Sequence, residues 1–308
     1  MRIAVAGIGG VGGYYGGMLA RYYAIHDTID VVFIARGEHL KQIQKNGLHL
    51  ITGEGAFSAI PTLATDNPKD IGIFDLVLFC VKGYDLESCA ELLKGNINEA
   101  SIVISLLNGV DNAERLTHLL PGAKVLNGCV YISAHIAKPG VVRQTGGSCQ
   151  LLFGAEDGRI HEFRDIETLL ESANLQAELK QDIKTIVWEK YLFVSPLASA
   201  TTYLGKAFGE IMADVASRRL LEGLMEEVAL VAETMGVEFP DGIIQESLNK
   251  ISLFPYDTKS SMQLDFEKGK NTEIDTFTGY ILTRGKELGI NAPLHEKVYR
   301  KLLETVAV

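Results

Sequence analysis

The glycines near the start of the chain constrain its fold more than any other feature. Residues 7–17 read GIGGVGGYYGG, with seven glycines in eleven positions. Glycine is costly to order and adds little to a core, so this density indicates a special backbone conformation or a close approach by another group. The apolar MRIAVA before the run is typical of a buried strand. Tyr15, near the end of the run, and Leu19 and Tyr22 after it follow helical spacing. The run is therefore predicted to be a strand-to-helix turn.

The spacing of three of these glycines matches a dinucleotide-binding fingerprint. Gly7, Gly9 and Gly12 form G-x-G-x-x-G. The first glycine permits a tight turn, the second lets the backbone approach a pyrophosphate, and the third lets helix and strand pack closely. The N-terminal amides of the helix would then face the phosphates. A purely structural glycine turn is the alternative, but the strand before the run and the helix after it favour dinucleotide binding.

Length and composition indicate a globular protein of two domains. The chain has 308 residues, more than a typical single domain, and its 47% hydrophobic and 22% charged residues are ordinary for globular proteins. A net charge of −10 argues against a nucleic-acid partner. The best apolar run, residues 74–81, is far shorter than the roughly 20 residues of a membrane-spanning helix, so no membrane partner is expected. Arg2 before apolar residues mimics a signal peptide, but glycines break that stretch.

Cysteine and histidine usage predicts neither disulfides nor a metal site. The four cysteines, Cys80, Cys89, Cys129 and Cys149, have no C-x-x-C spacing and lack the density of a secreted disulfide scaffold. Reduced thiols in a cytoplasmic protein are therefore expected. The seven histidines include no H-E-x-x-H or similar cluster, so no metal is predicted.

The first half of the chain alternates strand-like and helix-like segments. This alternation, with strands that are apolar throughout, predicts an α/β Rossmann-type domain with a parallel, doubly wound sheet. A hairpin that turns at Gly53 and Gly55 is also expected. The strand-like segments are 2–7, 31–36, 74–82, 101–109 and parts of 124–154, and the helix-like ones are the stretch through Tyr23, 84–97 and 163–173.

The pattern changes near residue 182 to one dominated by helices. Leu221, Leu224, Met225 and Val228, for example, recur at helical spacing. We therefore predict an NADP-binding Rossmann-type domain over residues 1–182 and an all-α substrate and catalytic domain over 183–308. A cleft between two such domains is a favoured place for ligands.

The end of the second predicted strand carries a basic residue where many NAD-binding folds carry an acidic one. An acid there holds the ribose 2′-hydroxyl of NAD, whereas a base suits the 2′-phosphate of NADP. Here VVFIARG ends in Arg36, while Asp30 precedes the strand and Glu38 lies beyond it. A solvated loop cation is the alternative interpretation of Arg36. With the fingerprint upstream, this arginine favours NADPH over NADH.

Other polar residues lie where chemistry is expected, although each also has a structural explanation. Lys82 and Asn108 directly follow predicted strands, whose carboxyl ends converge on a ligand in folds of this kind. Lys190, in VWEKYLFV, is a candidate for a cleft, but a lysine extending from an amphipathic helix explains the spacing better. The serine pair 260–261 and Glu273 are further candidates that helix capping explains equally well.

Taken in order, these motifs form a set far more specific than any one of them. The set is the glycine fingerprint, the strand-end arginine, VK at 81–82, NG at 108–109, WEK at 188–190 and SSM to TEID over 260–275. Over nearly its full length the chain resembles the ketopantoate reductases (2-dehydropantoate 2-reductases), NADPH-dependent enzymes of pantothenate synthesis. The resemblance implies a small 2-keto acid as substrate.

The resemblance also implies a role for each matching residue. Lys190 is similar to the family's proton donor, and Glu273 to a glutamate that helps position cofactor and substrate, which makes these two the candidate catalytic residues. The implied substrate contacts are Lys190, Asn108, Ser261 and Met262. The implied NADPH contacts are Gly7, Ile8, Gly9, Gly10, Val11, Gly12, Arg36, Lys82, Asn108, Ala134 and Glu273.

The sequence departs from the family at positions that contribute to substrate recognition. Members commonly have asparagines four and eight residues after the lysine and another in an Asn-Gly-Glu stretch, but Val194, Ala198 and Phe208 stand here. Apolar residues cannot satisfy the polar groups of ketopantoate, so the substrate assignment is weakened. Ser195 and Ser199, one place along, are candidates to compensate.

Two other functions stay open at this point. A paralogous reductase of another 2-keto or 3-keto acid is favoured by the missing asparagines. A non-catalytic NADPH-binding regulatory protein would keep Arg36 and the glycines but would have no use for Lys190 or Glu273. The sequence does not determine the oligomeric state, and a homodimer is one option.

Overall fold

The computed structural model describes residues 1–306 and divides into two compact units, Met1–Ile183 and the chain from Lys184 onward. The strands of the first unit are β1 (Arg2–Ala6), β2 (Asp30–Ile34), β3 (Leu48–Thr52), β4 (Gly55–Ala59), β5 (Leu63–Thr65), β6 (Leu76–Phe79), β7 (Ile102–Ser105), β8 (Lys124–Lys138), β9 (Val141–Gly154) and β10 (Gln176–Leu179). Its α-helices are α1 (Gly10–Tyr23), α2 (Gly37–Asn46), α3 (Leu86–Leu93), α4 (Asn112–Leu119) and α5 (Arg164–Ser172).

Six strands of the first unit form a parallel sheet in the spatial order β5-β2-β1-β6-β7-β8. Numbered along the chain, these six strands have the order 3-2-1-4-5-6, which is that of a Rossmann-type dinucleotide-binding fold. The order reverses between β1 and β6, and ligands of such sheets bind outside the carboxyl ends of the strands at this point. The predicted α/β Rossmann-type fold class is therefore confirmed.

Both faces of this sheet are covered, because successive residues of its central strand point to opposite sides. Ile3 and Val5 of β1 belong to one core cluster, together with Leu19 of α1. Ala4 belongs to a second cluster, together with Leu86 of α3. This double burial explains why β1, β2 and β6 carry four consecutive apolar residues each, IAVA, VVFI and LVLF, instead of alternating.

The sheet continues beyond the parallel core in ways that the sequence pattern only partly predicted. The long strands β8 and β9 pair antiparallel, and β3 and β4 form the expected hairpin, with β3 joined to β9 in parallel. The short strand β10 also pairs with β9 and was not predicted. Its four residues, QAEL, carry no decisive periodicity, so pairing with β9 determines its conformation.

The second unit is helical, as predicted. Its α-helices are α6 (Ile183–Leu204), which begins at the last residue of the first unit, α7 (Phe208–Ala213), α8 (Val215–Thr234), α9 (Ile243–Ile251), α10 (Ser261–Glu267), α11 (Tyr280–Leu288) and α12 (Pro293–Val306). Helix α8 packs against α7, α9, α11 and α12. A π-helical segment, Asp275–Gly279, leads into α11. Within residues 1–306, the helices are all too short or too polar to cross a membrane.

A half-buried carboxylate joins α8 to the start of α12. Glu227 of α8 accepts hydrogen bonds from the backbone amides of Leu294 and His295, at 2.8 and 2.9 Å. Its Oε2 also lies 2.7 Å from Nδ1 of His295, a residue with no exposed surface. One carboxylate thus satisfies amides at the helix N-terminus, which have no partner within the helix, and fixes the histidine ring.

Replacement of this carboxylate is expected to lower the stability of the protein. In Glu227→Ala the buried donors lose their acceptor, and we expect the free energy of unfolding to fall by about 2 to 3 kcal/mol, measured by urea denaturation. Glu226→Ala, at the preceding and exposed position of α8, is the matched control and should change stability by less than about 0.5 kcal/mol. Equal effects of the two substitutions would contradict the capping role.

The same pair predicts a dependence of stability on pH. Burial lowers the pKa of His295 below its ordinary value of 6.5, although Glu227 acts in the opposite direction. The unfolded chain therefore binds a proton at this residue more readily than the folded chain does. Stability should be full above pH 6.5 and fall as the pH drops below it. Urea titrations at a series of pH values, with His295→Gln for comparison, measure this contribution.

Candidate active site

The carboxyl ends of four neighbouring strands bring together the residues that the sequence singled out in the first unit. The strands β2, β1, β6 and β7 are adjacent and parallel, so their carboxyl ends lie along one edge of the sheet. Arg36 follows β2, the glycine run follows β1, Lys82 follows β6 and Asn108 follows β7. The edge is the one at which the strand order reverses, where a nucleotide is expected.

The glycine loop has the conformation that its sequence predicted. Gly7 has φ +93°, a left-handed conformation that other residues rarely adopt. Its amide donates to the carbonyl of Ile34 at 2.9 Å, which ties the loop to β2. A Cβ atom on Gly12 would clash with the carbonyl oxygen of Gly7. The first and third glycines of the fingerprint are therefore needed for the turn itself and for the contact between α1 and the loop.

The second glycine of the fingerprint has a different environment. A Cβ atom on Gly9 would meet no atom within 4 Å, so the space beside this residue is open to a ligand. Gly9 precedes the first residue of α1 and has no side chain with which to cap the helix. The N-terminal amides of α1 therefore receive no side-chain acceptor from Gly9. These features fit a pyrophosphate group, which the amides and the helix dipole would hold.

The neighbouring glycine contacts the sheet and places another predicted residue in this region. A Cβ atom on Gly10 would clash with the carbonyl group of Ala134. Ala134 lies on β8, where the pairing with β9 is irregular between Tyr131 and Ala134. Sequence reasoning alone offered no physical reason for Ala134 to contact the cofactor. The structure places its backbone directly against the start of α1.

Arg36 has an acidic partner that sequence reasoning missed. Its guanidinium forms two hydrogen bonds with the carboxylate of Asp85, Nη2 to Oδ2 at 2.6 Å and Nη1 to Oδ1 at 3.4 Å. The Arg36 side chain is 78% exposed and that of Asp85 is 24% exposed. Because 49 residues separate the two, no local spacing could indicate this pair. One sequence signal was available: Asp85 lies three residues after Lys82, which was already a candidate site residue.

Lys82 and Asn108 belong to turns that internal hydrogen bonds stabilise. Lys82 is half-buried, and its carbonyl accepts from the amide of Asp85 at 2.9 Å. The carbonyl of Asn108 accepts from the side chain of Asn112 at 2.9 Å, at the start of α4. Arg115 of α4 donates to the carbonyl of Gly83 at 3.2 Å, so the turn after β6 is attached to α4.

In the second unit, Lys190 lies half-buried on α6. Tyr191, one residue later, donates from its hydroxyl to the carbonyls of Thr276 and Phe277 at 2.9 and 2.7 Å. These bonds hold α6 against the π-helical segment, which begins two residues after Glu273. Lys190 is therefore carried by a helix that its neighbour Tyr191 fastens to the π-helical segment.

The serines expected to compensate for the missing asparagines are occupied elsewhere. Ser195 donates to the carbonyl of Phe277 at 3.2 Å, and Ser199 is 2.8 Å from the hydroxyl of Thr278. Both serines have no exposed surface. Because they continue the face of α6 that starts with Tyr191, they fasten this helix to the π-helical segment. Neither hydroxyl is available to replace a substrate-binding asparagine.

The two adjacent serines at the start of α10 differ in their roles. Ser260 is the N-cap of α10, and its hydroxyl accepts from the amide of Gln263 at 3.1 Å. Ser261 is exposed and therefore does not share this structural task. Met262 is buried, with 1% of its surface exposed, and Glu273 is 3% exposed. Capping thus explains the first serine but neither Ser261 nor the buried carboxylate of Glu273.

The cysteines offer no reactive thiol near the first unit's strand ends. None of the four forms a disulfide, and burial raises the pKa of Cys80 and Cys89, the latter to about 12. Such thiols stay protonated at neutral pH and are poor nucleophiles. Among residues 1–306, no group of three or more histidine, cysteine or acidic side chains is placed to hold a metal ion.

Comparison with known proteins gives a consistent result along the chain. Residues 3–158 match the family described as "Ketopantoate reductase PanE/ApbA", and residues 182–305 match its C-terminal domain. The chain is 31% identical to the uncharacterized oxidoreductase YkpB of Bacillus subtilis, over 98% of each chain. It is 28% identical to the 2-dehydropantoate 2-reductase of Halobacterium salinarum, over 96% of this chain and 95% of that one.

A solved structure agrees with the fold described above. The crystal structure of 2-dehydropantoate 2-reductase from Porphyromonas gingivalis superposes with a TM-score of 0.85 and 34% identity, over 98% of this chain and 99% of that chain. The first family match lies in the unit with the Rossmann-type sheet, and the second covers nearly all of the helical unit. The chain therefore belongs to the ketopantoate reductase family of oxidoreductases.

Proposed function

We propose that this protein reduces a 2-keto acid with NADPH, and that the substrate is ketopantoate, which it converts to pantoate for pantothenate synthesis. The observation that carries the proposal is the convergence of Arg36, the open space at Gly9, Lys82 and Asn108 at the switch point of the sheet. Relatives named 2-dehydropantoate 2-reductase, such as that of Halobacterium salinarum, support the choice of substrate.

The proposed chemistry divides between binding and proton transfer. NADPH, when bound, supplies the hydride for the ketone carbon. The amides of α1 and the guanidinium of Arg36 hold the phosphate groups. The protonated amine of Lys190 donates its proton to the ketone oxygen as negative charge develops there, and it stabilises that charge electrostatically. Asn108, Ser261 and Met262 are proposed to contact the substrate, and Glu273 to position substrate and cofactor.

Arg36 is expected to determine the preference for NADPH. A charge-assisted pair with the 2′-phosphate contributes about 1.5 to 3 kcal/mol, and exposure of the guanidinium puts Arg36 at the lower end. In Arg36→Ala, the ratio of NADPH to NADH affinity should therefore fall by about tenfold in titration calorimetry. Lys41→Ala, which removes one exposed cation from α2, should leave the ratio unchanged. Equal affinities of the unmodified protein for both cofactors would overturn the assignment.

A second candidate substrate is a 2-keto acid without the hydroxyl group of ketopantoate. The engagement of Ser195 and Ser199 with the π-helical segment favours it, because Val194 and Ala198 then leave this stretch of α6 without the expected amides. Fewer polar partners for the hydroxyl should raise KM more than they lower kcat, since a typical hydrogen bond contributes about 0.5 to 1.5 kcal/mol.

The decisive comparison is kcat/KM for ketopantoate against 2-ketoisovalerate, which lacks the hydroxymethyl group. If ketopantoate is the substrate, its kcat/KM should be higher than that of 2-ketoisovalerate. The factor should be modest, because the site has few polar groups that would lose their partner when the hydroxyl is absent. If 2-ketoisovalerate is reduced as well or better, the protein is a paralogous reductase of another keto acid. Absence of reduction for every keto acid, with NADPH still bound, would favour a regulatory protein.

A further inference from the structure

The ion pair between Arg36 and Asp85 lies at the position where the proposed function requires recognition of a phosphate. Asp85 ends the turn after β6, and its amide is held by the carbonyl of Lys82. The same turn is attached to α4 through the bond from Arg115 to the carbonyl of Gly83. The backbone of Asp85 is thus held in place by these bonds, whereas the guanidinium of Arg36 stands on a long, 78% exposed side chain.

The geometry of the pair leaves the guanidinium with hydrogen-bonding capacity for a second anion. Nη1 and Nη2 of Arg36 each donate to one oxygen of Asp85, while a guanidinium has five N–H groups in all. A phosphate that takes the remaining donors must also come near the carboxylate, because Oδ2 lies only 2.6 Å from Nη2. Two anions that share one exposed cation repel each other.

We propose that Asp85 is a specificity-determining residue that weakens the preference of this site for NADPH over NADH. The inference rests on the proposed function, in which Arg36 binds the 2′-phosphate. Asp85 opposes this phosphate by its charge and competes with it for the guanidinium. It has no such effect on NADH, whose uncharged ribose 2′-hydroxyl can donate a hydrogen bond to a carboxylate. The acid absent from the end of β2 is thus supplied by the turn after β6.

The test measures dissociation constants for NADPH and NADH by titration calorimetry, without any substrate. Asp85→Asn removes the charge and keeps the size of the side chain. The ratio of NADPH to NADH affinity should rise about three- to tenfold in low salt, and the rise should shrink in 1 M NaCl, where charges are screened within about 3 Å. Glu91→Gln is the matched control, because it removes one carboxylate from α3 that pairs with Lys94 and not with Arg36.

A double-mutant cycle with Arg36→Ala identifies the mechanism. Competition for the guanidinium needs Arg36, whereas repulsion between the carboxylate and the phosphate does not, so the effect of Asp85→Asn on the ratio should be smaller in the Arg36→Ala background than in the unmodified protein. An unchanged ratio in Asp85→Asn, equal to that of Glu91→Gln, would overturn the proposal and leave a surface ion pair. A weaker affinity for NADPH would also overturn it, because Asp85 would then orient Arg36 for the phosphate.

These outcomes are distinct from a failure of the proposed function. If the unmodified protein binds neither NADPH nor NADH, or if Arg36→Ala leaves the ratio unchanged, the role of Arg36 is wrong. If Arg36→Ala lowers the ratio of NADPH to NADH affinity as expected and Asp85→Asn does not raise it, only the role of Asp85 is wrong.

Discussion

Lys190→Ala is expected to lower kcat by about a hundredfold or more while the dissociation constant of NADPH stays nearly unchanged. General acid catalysis typically contributes a factor of about 10² to 10⁴, and the lost cation would also have stabilised charge on the ketone oxygen. Because such an interaction acts mainly in the transition state, kcat and kcat/KM should fall together. Stopped-flow measurement of NADPH oxidation in a single turnover separates this loss from a change in product release.

The control for this substitution lies on the same helix. Lys184 donates from its amine to the carbonyl of Met235 at 3.0 Å, so its role is structural. Lys184→Ala should lower the melting temperature and leave kcat close to that of the unmodified protein. Lys190→Ala with near-normal turnover would show that Lys190 is an ordinary helix-surface lysine, which its spacing alone favoured.

Two glycine substitutions in the same loop are expected to separate ligand binding from folding. Gly9→Ala introduces a methyl group into open space, so the fold should stay intact, but the methyl would occupy the region proposed for the pyrophosphate. We expect its affinity for NADPH to fall at least about tenfold, with an unchanged melting temperature. The affinity is measured by calorimetry and the melting temperature by circular dichroism.

Gly12→Ala is the counterpart, because its methyl group would clash with the carbonyl of Gly7. Forcing an extra methyl into such a contact costs about 1 to 3 kcal/mol, so this variant should lose stability before any question of binding arises. If Gly9→Ala instead unfolds the protein while Gly12→Ala is tolerated, the functions assigned to the two glycines are wrong. If Gly9→Ala binds NADPH normally, the pyrophosphate does not lie beside Gly9.

The order of secondary structure in the first unit follows from local sequence signals. The glycine run marked the turn from β1 to α1, and continuous apolar segments marked the parallel strands β1, β2, β6 and β7. The three-residue parallel strand β5 was not predicted. Both signals are local properties: a left-handed Gly7 and a strand buried on both faces each require particular residues at that position. The strand β10 escaped prediction because four residues carry too little pattern, and its partner β9 determines its structure.

Among the candidate site residues, too, local sequence could place some and not others. The sequence could place Lys82, Asn108 and Arg36 at strand ends, since each directly follows an apolar run. It could not distinguish Ser260 from Ser261, because both satisfy the composition of a helix N-terminus. Only the hydrogen bond from the amide of Gln263 identifies the first as the cap.

By itself, therefore, the sequence determined the fold class, the dinucleotide fingerprint and the set of polar residues available for chemistry. The tertiary structure decided how that set is used. It engaged Ser195 and Ser199 with the π-helical segment and brought Asp85 to Arg36 across 49 residues of chain. The physical reason is that fold class depends on backbone conformation and on burial patterns that repeat over a few residues. Hydrogen-bond partners depend instead on which segments the packed sheet and helices bring within about 3 Å of each other.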